Sequence, residues 1–274
     1  LKDSIRVFNN YNLVKMPGYN PLTLSEAIRN AVCRYTVAGE ERKYYRFRGG
    51  KWYGGIATGD VVGCNLRCGF CWSWRFSHVS TGGWFESADS AFQKIYSIAA
   101  RYKYEYVRLS GGEPTLSKNH LLKIIQLFSE TPFTFILETN GLLIGHDPSY
   151  AENLAEFSNL VVRISFKGTS SEEFHVLTGA DPFFFKLQLK GLENLVESGL
   201  KPCTEVYPAV MLSFSTPESY NQLKKEFSKI HPALPSCIDE EYVILYPHVK
   251  EVLRKHGLKP KISYTPEGIP DFMI

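Results

Sequence analysis

The sequence predicts an α/β fold, a mostly parallel sheet curved into an open or partial barrel behind a small N-terminal extension. Three observations carry this expectation. Strand-like apolar runs recur six times after residue 50. Helical patterns separate the runs, which is the order of βαβ units with right-handed crossovers. Six such units are too few for a closed eight-fold barrel.

Residues 1–50 read as an accessory segment. Leu22-Thr23-Leu24-Ser25-Glu26-Ala27-Ile28 suggests a helix running to about Ala38. Arg42-Lys43-Tyr44-Tyr45-Arg46-Phe47-Arg48, stopped by Gly49-Gly50, reads as a strand and turn. The plain reading is an edge strand with a solvated charged face; the sharper one is a surface for an anionic partner. Strands are then expected near 55–62, 106–109, 133–137, 160–166, 203–212 and 241–245. Ser87 and Ser117 stand where they can cap the first two intervening helices. Asp181-Pro182 opens a third, with Asp at the N-cap and Pro at the first turn. Its stripe is Phe185, Leu189, Leu192 and Val196, closed by Gly199. Further helices are expected at about 217–230 and 247–256. This divides the chain into the segment 1–50, a core at 51–246, and a C-terminal helix and tail at 247–274. No internal repeat or low-complexity tract interrupts it.

Composition narrows the function classes. The 274 residues are 44% hydrophobic and 22% charged, an ordinary globular balance. With 31 Lys+Arg against 28 Asp+Glu the net charge is +3, which gives no strong argument for a nucleic acid or a membrane. Tight nucleic-acid binding is therefore not expected. Six cysteines are too sparse for a disulfide scaffold. No apolar run approaches the ~18 residues of a spanning helix. The stretch from Leu1 to Gly18 lacks an apolar signal-peptide core. A soluble, reducing, cytoplasmic setting is the expectation.

The chemistry concentrates in Gly63-Cys64-Asn65-Leu66-Arg67-Cys68-Gly69-Phe70-Cys71-Trp72. Three soft thiolates spaced C-x3-C-x2-C suit a metal or an iron–sulfur cluster. Structural zinc is the competitor, but it normally takes four ligands, usually as two pairs. Cys33, Cys203 and Cys237 offer no second CxxC pair, and only His78 lies close among the histidines. Three thiolates leave one iron of a four-iron cluster open to a ligand.

These residues resemble the radical S-adenosylmethionine (SAM) enzymes. The Cys64/Cys68/Cys71 spacing is that family's hallmark, and Phe70 stands where the family usually has an aromatic. Ser110-Gly111-Gly112-Glu113-Pro114 resembles its GGEP motif, Glu138-Thr139-Asn140-Gly141 its TNG segment, and Ile164-Ser165-Phe166-Lys167 ends the fourth strand. The resemblance spans roughly 55–212 and implies a partial (β/α)6 TIM-like barrel, matching the strand count. It implies one 4Fe-4S cluster held by Cys64, Cys68 and Cys71, with SAM chelating the fourth iron. An electron from the cluster would cleave SAM to a 5′-deoxyadenosyl radical that abstracts hydrogen from a substrate.

The resemblance also implies a cofactor-binding set. Phe70 would lie near the adenine, and Gly111 and Gly112 would let the backbone approach the ligand. Glu113 would accept from the SAM ammonium. Asn140 and Ser165 would reach ribose or carboxylate, Lys167 the carboxylate, and Glu138 the ribose or ammonium. No catalytic residue is assigned beyond these.

The substrate is less legible. A short core without a cysteine-rich C-terminal extension resembles glycyl-radical-enzyme activases. The alternatives are modification of a small molecule or nucleoside, as in cofactor or tRNA-base biosynthesis, and a non-enzymatic iron–sulfur or zinc module. A one-electron donor such as ferredoxin or flavodoxin is the implied partner, beside a protein or small-molecule substrate. Trp72, Trp74 and Trp84 read as loop packing, or else as a stacking surface. His146, His175 and His248 read as surface or hydrogen-bonding residues. Cys203 is expected in a barrel strand, as a small buried hydrophobe or a hydrogen donor.

Overall fold

The structure is a computed structural model that describes residues 18–37 and 39–274. Residues 1–17 and Ala38, the expected helix end, lie outside the described residues. In chain order the elements are α1 (Pro21–Val32), β1 (Cys33–Thr36), β2 (Gly39–Gly50), β3 (Ile56–Val61), α2 (Trp74–Ser77), β4 (Trp84–Glu86) and α3 (Ala88–Tyr102). Next come β5 (Tyr106–Gly111), α4 (Lys118–Ser129), β6 (Thr134–Thr139), α5 (Leu142–His146), α6 (Pro148–Ala155), β7 (Leu160–Phe166) and α7 (Ser171–Thr178). The chain continues through α8 (Phe185–Glu197), β8 (Val206–Met211), α9 (Pro217–Ile230), β9 (Asp239–Glu241), β10 (Val243–Ile244), α10 (Pro247–His256) and β11 (Ser263–Tyr264).

The sheet runs β1-β2-β3-β5-β6-β7-β8-β9, with β4 on the side of β2. From β3 to β9 every pairing is parallel, which supplies the six strands of the expected partial barrel. Alternation within these strands builds both layers. Val107, Leu109, Phe135, Leu137, Val162 and Ile164 are buried in the main apolar core. The residues between them, Arg108, Ser110, Glu138, Arg163 and Ser165, line an interior cavity. The core therefore sits between strands and helices, and the barrel's interior is polar.

Several expectations need correction. The first helix ends at Val32, because Cys33–Thr36 pairs antiparallel with residues 39–42. The Arg42–Arg48 stretch is not an edge: β2 pairs with β1, β3 and β4. Arg42 is buried rather than solvated. The sheet therefore continues across residue 50 into the N-terminal segment. Asp181 caps a 3-10 turn, Pro182–Phe184, before α8 begins. The run at 241–245 splits: β9 joins the barrel, while β10 pairs with β11 in a separate two-stranded sheet. Cys203 lies outside β8, at positive φ, and forms a disulfide with Cys237. It faces Ala233, not the barrel interior, which removes it as a hydrogen donor there.

Candidate active site

The strand that supplies the cluster loop ends at Val61, and the loop is then fastened from several directions. Glu113 N donates to Gly63 O (2.9 Å) and Gly112 N to Val61 O (2.8 Å). A Cβ on Gly112 would stand 2.1 Å from Gly63 O, so only glycine lets these two backbones meet. The missing side chain thus makes room for the chain's own loop. Gly111 has φ +87° and a Cβ there would strike the Tyr45 ring. The N-terminal segment braces the same loop: Asn65 Nδ2 donates to Ser25 Oγ (3.0 Å) and Arg67 N to Tyr19 OH (2.8 Å). On the outer side, Trp74 Nε1 donates to His248 O (2.9 Å), and His248 Nε2 to Trp72 O (2.8 Å).

Cys64, Cys68 and Cys71 line one cavity of about 920 Å³ together with Phe70. Among the described residues no group of three His, Cys, Asp or Glu closes tightly enough to hold a single ion. The three thiols share one cavity wall, a soft donor set of the kind that holds an iron–sulfur cluster. Burial pushes the Cys64 thiol up to about 12 and raises Cys68 further, with Lys167 opposing the rise at Cys68. Thiols so desolvated stay protonated until a cation binds them, so loading is coupled to proton release. The donor set and its burial fit an iron–sulfur cluster.

The structure brings all of the expected cofactor residues to this cavity. It also gives most of them partners within the chain. Glu113, 3% exposed, accepts from Thr115 N (3.1 Å), Thr115 Oγ1 (2.6 Å), Thr139 Oγ1 (2.6 Å) and Asn140 N (2.9 Å). Asn140 Nδ2 donates to Asn65 Oδ1 (2.7 Å), bracing the cluster loop. Glu138 accepts from Arg108 Nη1 (2.6 Å) and Tyr53 OH (2.7 Å). Ser165 Oγ donates to Glu241 (2.9 Å) and accepts from Lys167 Nζ. Phe70 tilts against Phe214, with centroids 5.8 Å apart.

Of the far wall, the sequence singles out Glu138 and, as a possible surface for an anionic partner, the stretch with Arg46 and Arg48; Arg108, Arg163, Asp239 and Glu241 it does not. Arg163 bonds Asp239 (2.7 Å) and Glu241 (2.8 Å). Arg46 and Arg48 both bond Asp60. Burial alone would raise Glu138, but the charges of Arg108 and Arg163 hold it at about 2. The same carboxylates keep Arg163 firmly protonated against its own burial. One signal was available: an arginine inside an apolar parallel strand, as in Tyr106-Val107-Arg108-Leu109, has only the barrel interior to face. Of the three histidines, His248 lines the cavity, His175 Nδ1 bonds Ala180 O (2.7 Å), and His146 ends α5. Trp72 and Trp84 are exposed.

Fold and site define a barrel enzyme with a thiol-lined cofactor cavity at the C-terminal ends of its strands. The family model of the Radical SAM superfamily matches residues 60–223, more than half of the chain, and the protein belongs to that superfamily. The family implies a 4Fe-4S cluster and SAM. GTP 3′,8-cyclase of Pasteurella multocida is 29% identical over 161 residues, 58% of this chain and 43% of the cyclase. The chain thus matches under half the length of that relative. A putative glycyl-radical enzyme activating enzyme of Methanocaldococcus jannaschii is 34% identical over 81 residues, 30% of this chain and 29% of that protein. Among solved structures, spore photoproduct lyase with bound AdoMet and a dinucleoside spore photoproduct is similar in fold. It has TM-score 0.54 at 13% identity, covering 95% of this chain and 74% of that one. Streptococcus suis SuiB bound to S-adenosylmethionine has TM-score 0.50 at 18% identity, covering 77% and 46%. Among the described residues no helix is long and apolar enough to cross a membrane.

Proposed function

We propose that the protein generates a substrate radical on a small, polar molecule held in the barrel interior. The observation that carries this is one cavity shared by the three loop thiols and the charged far wall. Cys64, Cys68 and Cys71 would hold the cluster. Cluster and SAM, when bound, supply a carbon-centred radical able to take a hydrogen atom from a neighbouring C–H bond. The chain's own work is positioning and exclusion. Asn140 and Asn65 fix the loop, and Glu113 ties the end of β5 to the end of β6. Phe70, with Phe214 behind it, offers an apolar wall for the adenine. Among the described residues Glu113 Oε2 accepts one bond, from Asn140 N, and keeps a lone pair for the SAM ammonium. Lys167 and Ser165 face the carboxylate end. The far wall then receives the substrate, and a one-electron donor such as ferredoxin or flavodoxin would reduce the cluster.

The likeness to cyclases acting on a nucleotide supports a small polar substrate. Paired arginines and carboxylates suit charged groups more than an uncharged glycyl loop. The activase reading remains the second, carried by the 34% identical activating-enzyme relative. Anaerobic reconstitution, reduction with dithionite and chromatographic measurement of 5′-deoxyadenosine tests the chemistry. Formation of 5′-deoxyadenosine, dependent on iron and sulfide, is expected; a protein that binds one zinc and leaves SAM intact refutes it. Adding a purified glycyl-radical enzyme and looking for its radical by electron paramagnetic resonance separates the two substrate readings.

A further inference from the structure

The N-terminal strand β2 places a pair of arginines at the cavity, and the proposed function gives this pair no ligand group of its own. Arg46 pairs in register with Asp60, and Arg48 with Thr58. The Asp60 side chain is completely buried and accepts from Arg46 Nε (2.7 Å), Arg48 Nε (2.8 Å) and Arg48 Nη2 (3.3 Å). One carboxylate thus restrains two guanidinium groups through their Nε edges. Arg46 Nη1 and Nη2 and Arg48 Nη1 have no acceptor among the described residues, and neither arginine has a second carboxylate at ion-pair distance. Both arginines line the cavity. Aromatic faces limit them further: Arg46 lies 5.6 Å from the Tyr45 ring centre and Arg48 5.7 Å from that of Trp72.

Two positive charges against one negative leave a net positive charge, on donors whose geometry is already fixed. Planar N–H edges held this way match the oxygens of a phosphate or carboxylate. Because Asp60 and the rings have restrained the side chains beforehand, an anion binding there loses little further side-chain entropy. Trp72 follows Cys71 directly, so the pair stands beside the cluster loop. Arg46 and Arg48 precede the superfamily match at 60–223, while Asp60, which holds them, is its first residue, so the feature joins the N-terminal strand to the matched core.

We propose that Arg46 and Arg48, restrained by Asp60, bind a phosphate or carboxylate group of a small-molecule substrate. This rests on the reading of the cavity as a substrate chamber and names the class of substrate it takes. The alternative source of such an anion is the SAM carboxylate, and the test separates the two.

The test is calorimetric titration of the reconstituted holoenzyme with inorganic pyrophosphate, with citrate and, separately, with SAM. The wild type is expected to bind pyrophosphate or citrate. Arg46→Gln should weaken that binding about tenfold to a hundredfold and shift SAM affinity less than twofold. Arg46→Lys, which keeps charge and Asp60 pairing but loses the planar fork, should fall between. The Lys variant also serves if the Gln variant fails to fold. Binding of neither anion by the wild type, or equal binding by wild type and both variants, overturns the proposal. So does a loss of SAM affinity in step with the anion, which would assign the arginines to SAM. Failure of the parent reading shows elsewhere: a wild-type holoenzyme that does not cleave SAM on reduction refutes the chemistry, whatever the arginines bind.

Discussion

The near half of the cavity is built from loops, the far half from strand interiors, and the two are stabilised differently. Around Cys64, Cys68 and Cys71 the fastening is by hydrogen bonds, most of them neutral: backbone to backbone, Asn to Asn, Ser to Asn and Tyr to backbone, with Arg67 of the loop itself donating to Cys64 O and Leu66 O. The far half is held by ion pairs, Arg46 and Arg48 with Asp60, Arg108 with Glu138, and Arg163 with Asp239 and Glu241. A frame of mostly neutral bonds, with no carboxylate answering Arg67 at ion-pair distance among the described residues, leaves the thiols free to take the charge a bound cluster imposes. A charged frame has already committed its charges, and only its surplus can address a ligand. Mutations should therefore separate the halves: loss of cofactor without loss of fold on one side, and loss of fold before loss of cofactor on the other.

The largest expected effect is in the near half. Cys64→Ala, Cys68→Ala and Cys71→Ala should each abolish the visible absorbance of the cluster and SAM cleavage, with the melting temperature of the apoprotein nearly unchanged. Cys33, free on β1, and the Cys203–Cys237 pair should be dispensable for iron. Iron analysis of a Cys203→Ser, Cys237→Ser double variant checks this, and iron loss there would break the three-ligand assignment.

In the far half, Arg163→Met should cost about 1–3 kcal/mol of stability, because the partly buried Asp239 and Glu241 lose their guanidinium partner while Glu241 keeps its bond from Ser165. Urea unfolding of the apoprotein measures it. A cost below about 1 kcal/mol would mean that these carboxylates are hydrated, and the contrast between the halves would fail.

Acid should read the same frame. Glu138 is held at about 2 in the fold against an ordinary 4.5, so it contributes stability above pH 4.5 that is lost as pH falls toward 2. Other depressed carboxylates add to the acid limb, so the informative quantity is a difference. Glu138→Gln should flatten the fall in melting temperature between pH 4.5 and 2 relative to wild type. Parallel curves would show that Arg108 and Arg163 do not hold this carboxylate.

Glu113 lies where the halves meet. Glu113→Gln replaces an oxygen with a donor facing Thr115, Thr139 or Asn140, all of which already donate to it. A stability loss of about 1–3 kcal/mol is expected, together with SAM binding weaker by about tenfold to a hundredfold. Unchanged SAM affinity with a lowered melting temperature would confine Glu113 to tying two strands together.

Much of the near half was legible because it is local in sequence. Three cysteines within eight residues, or a Gly-Gly-Glu-Pro turn, state their spacing directly. The barrel was legible because apolar runs alternate with helical periods. The far half is assembled from single residues on separate strands, Arg108, Glu138, Arg163 and Asp239, and from Tyr53 in the turn before β3, brought together only when the sheet closes. β2 was misread as an edge because its alternating charges look solvated. Two of its acids and bases, Glu40 and Arg42, are buried, and Arg46 and Arg48 turn toward the cavity after a bulge between Tyr44 and Arg46. Cys203 and Cys237 pair across 34 residues, which no short spacing could announce.

The smallest expected effect tests whether the near half is closed from outside by α10. Trp74 Nε1 donates to His248 O, and the ring also lies beneath Lys255, 4.6 Å from its ammonium group. Trp74→Phe keeps most of the ring's packing and removes one neutral hydrogen bond, worth about 0.5–1.5 kcal/mol. His248 O then loses its donor, while the His248 bond to Trp72 O remains to hold the loop. A small drop in melting temperature is expected, with full iron content. The sharper readout is kinetic. If α10 keeps the cluster loop closed, the variant should lose visible absorbance faster than wild type when exposed to air. Lys229→Ala, which removes an exposed pair with Glu226 on α9 away from the cavity, is the control and should decay at the wild-type rate. Equal decay of all three proteins would show that the Trp74–His248 bond does not close the loop, which Gly63, Asn65, Asn140 and the remaining His248–Trp72 bond then hold.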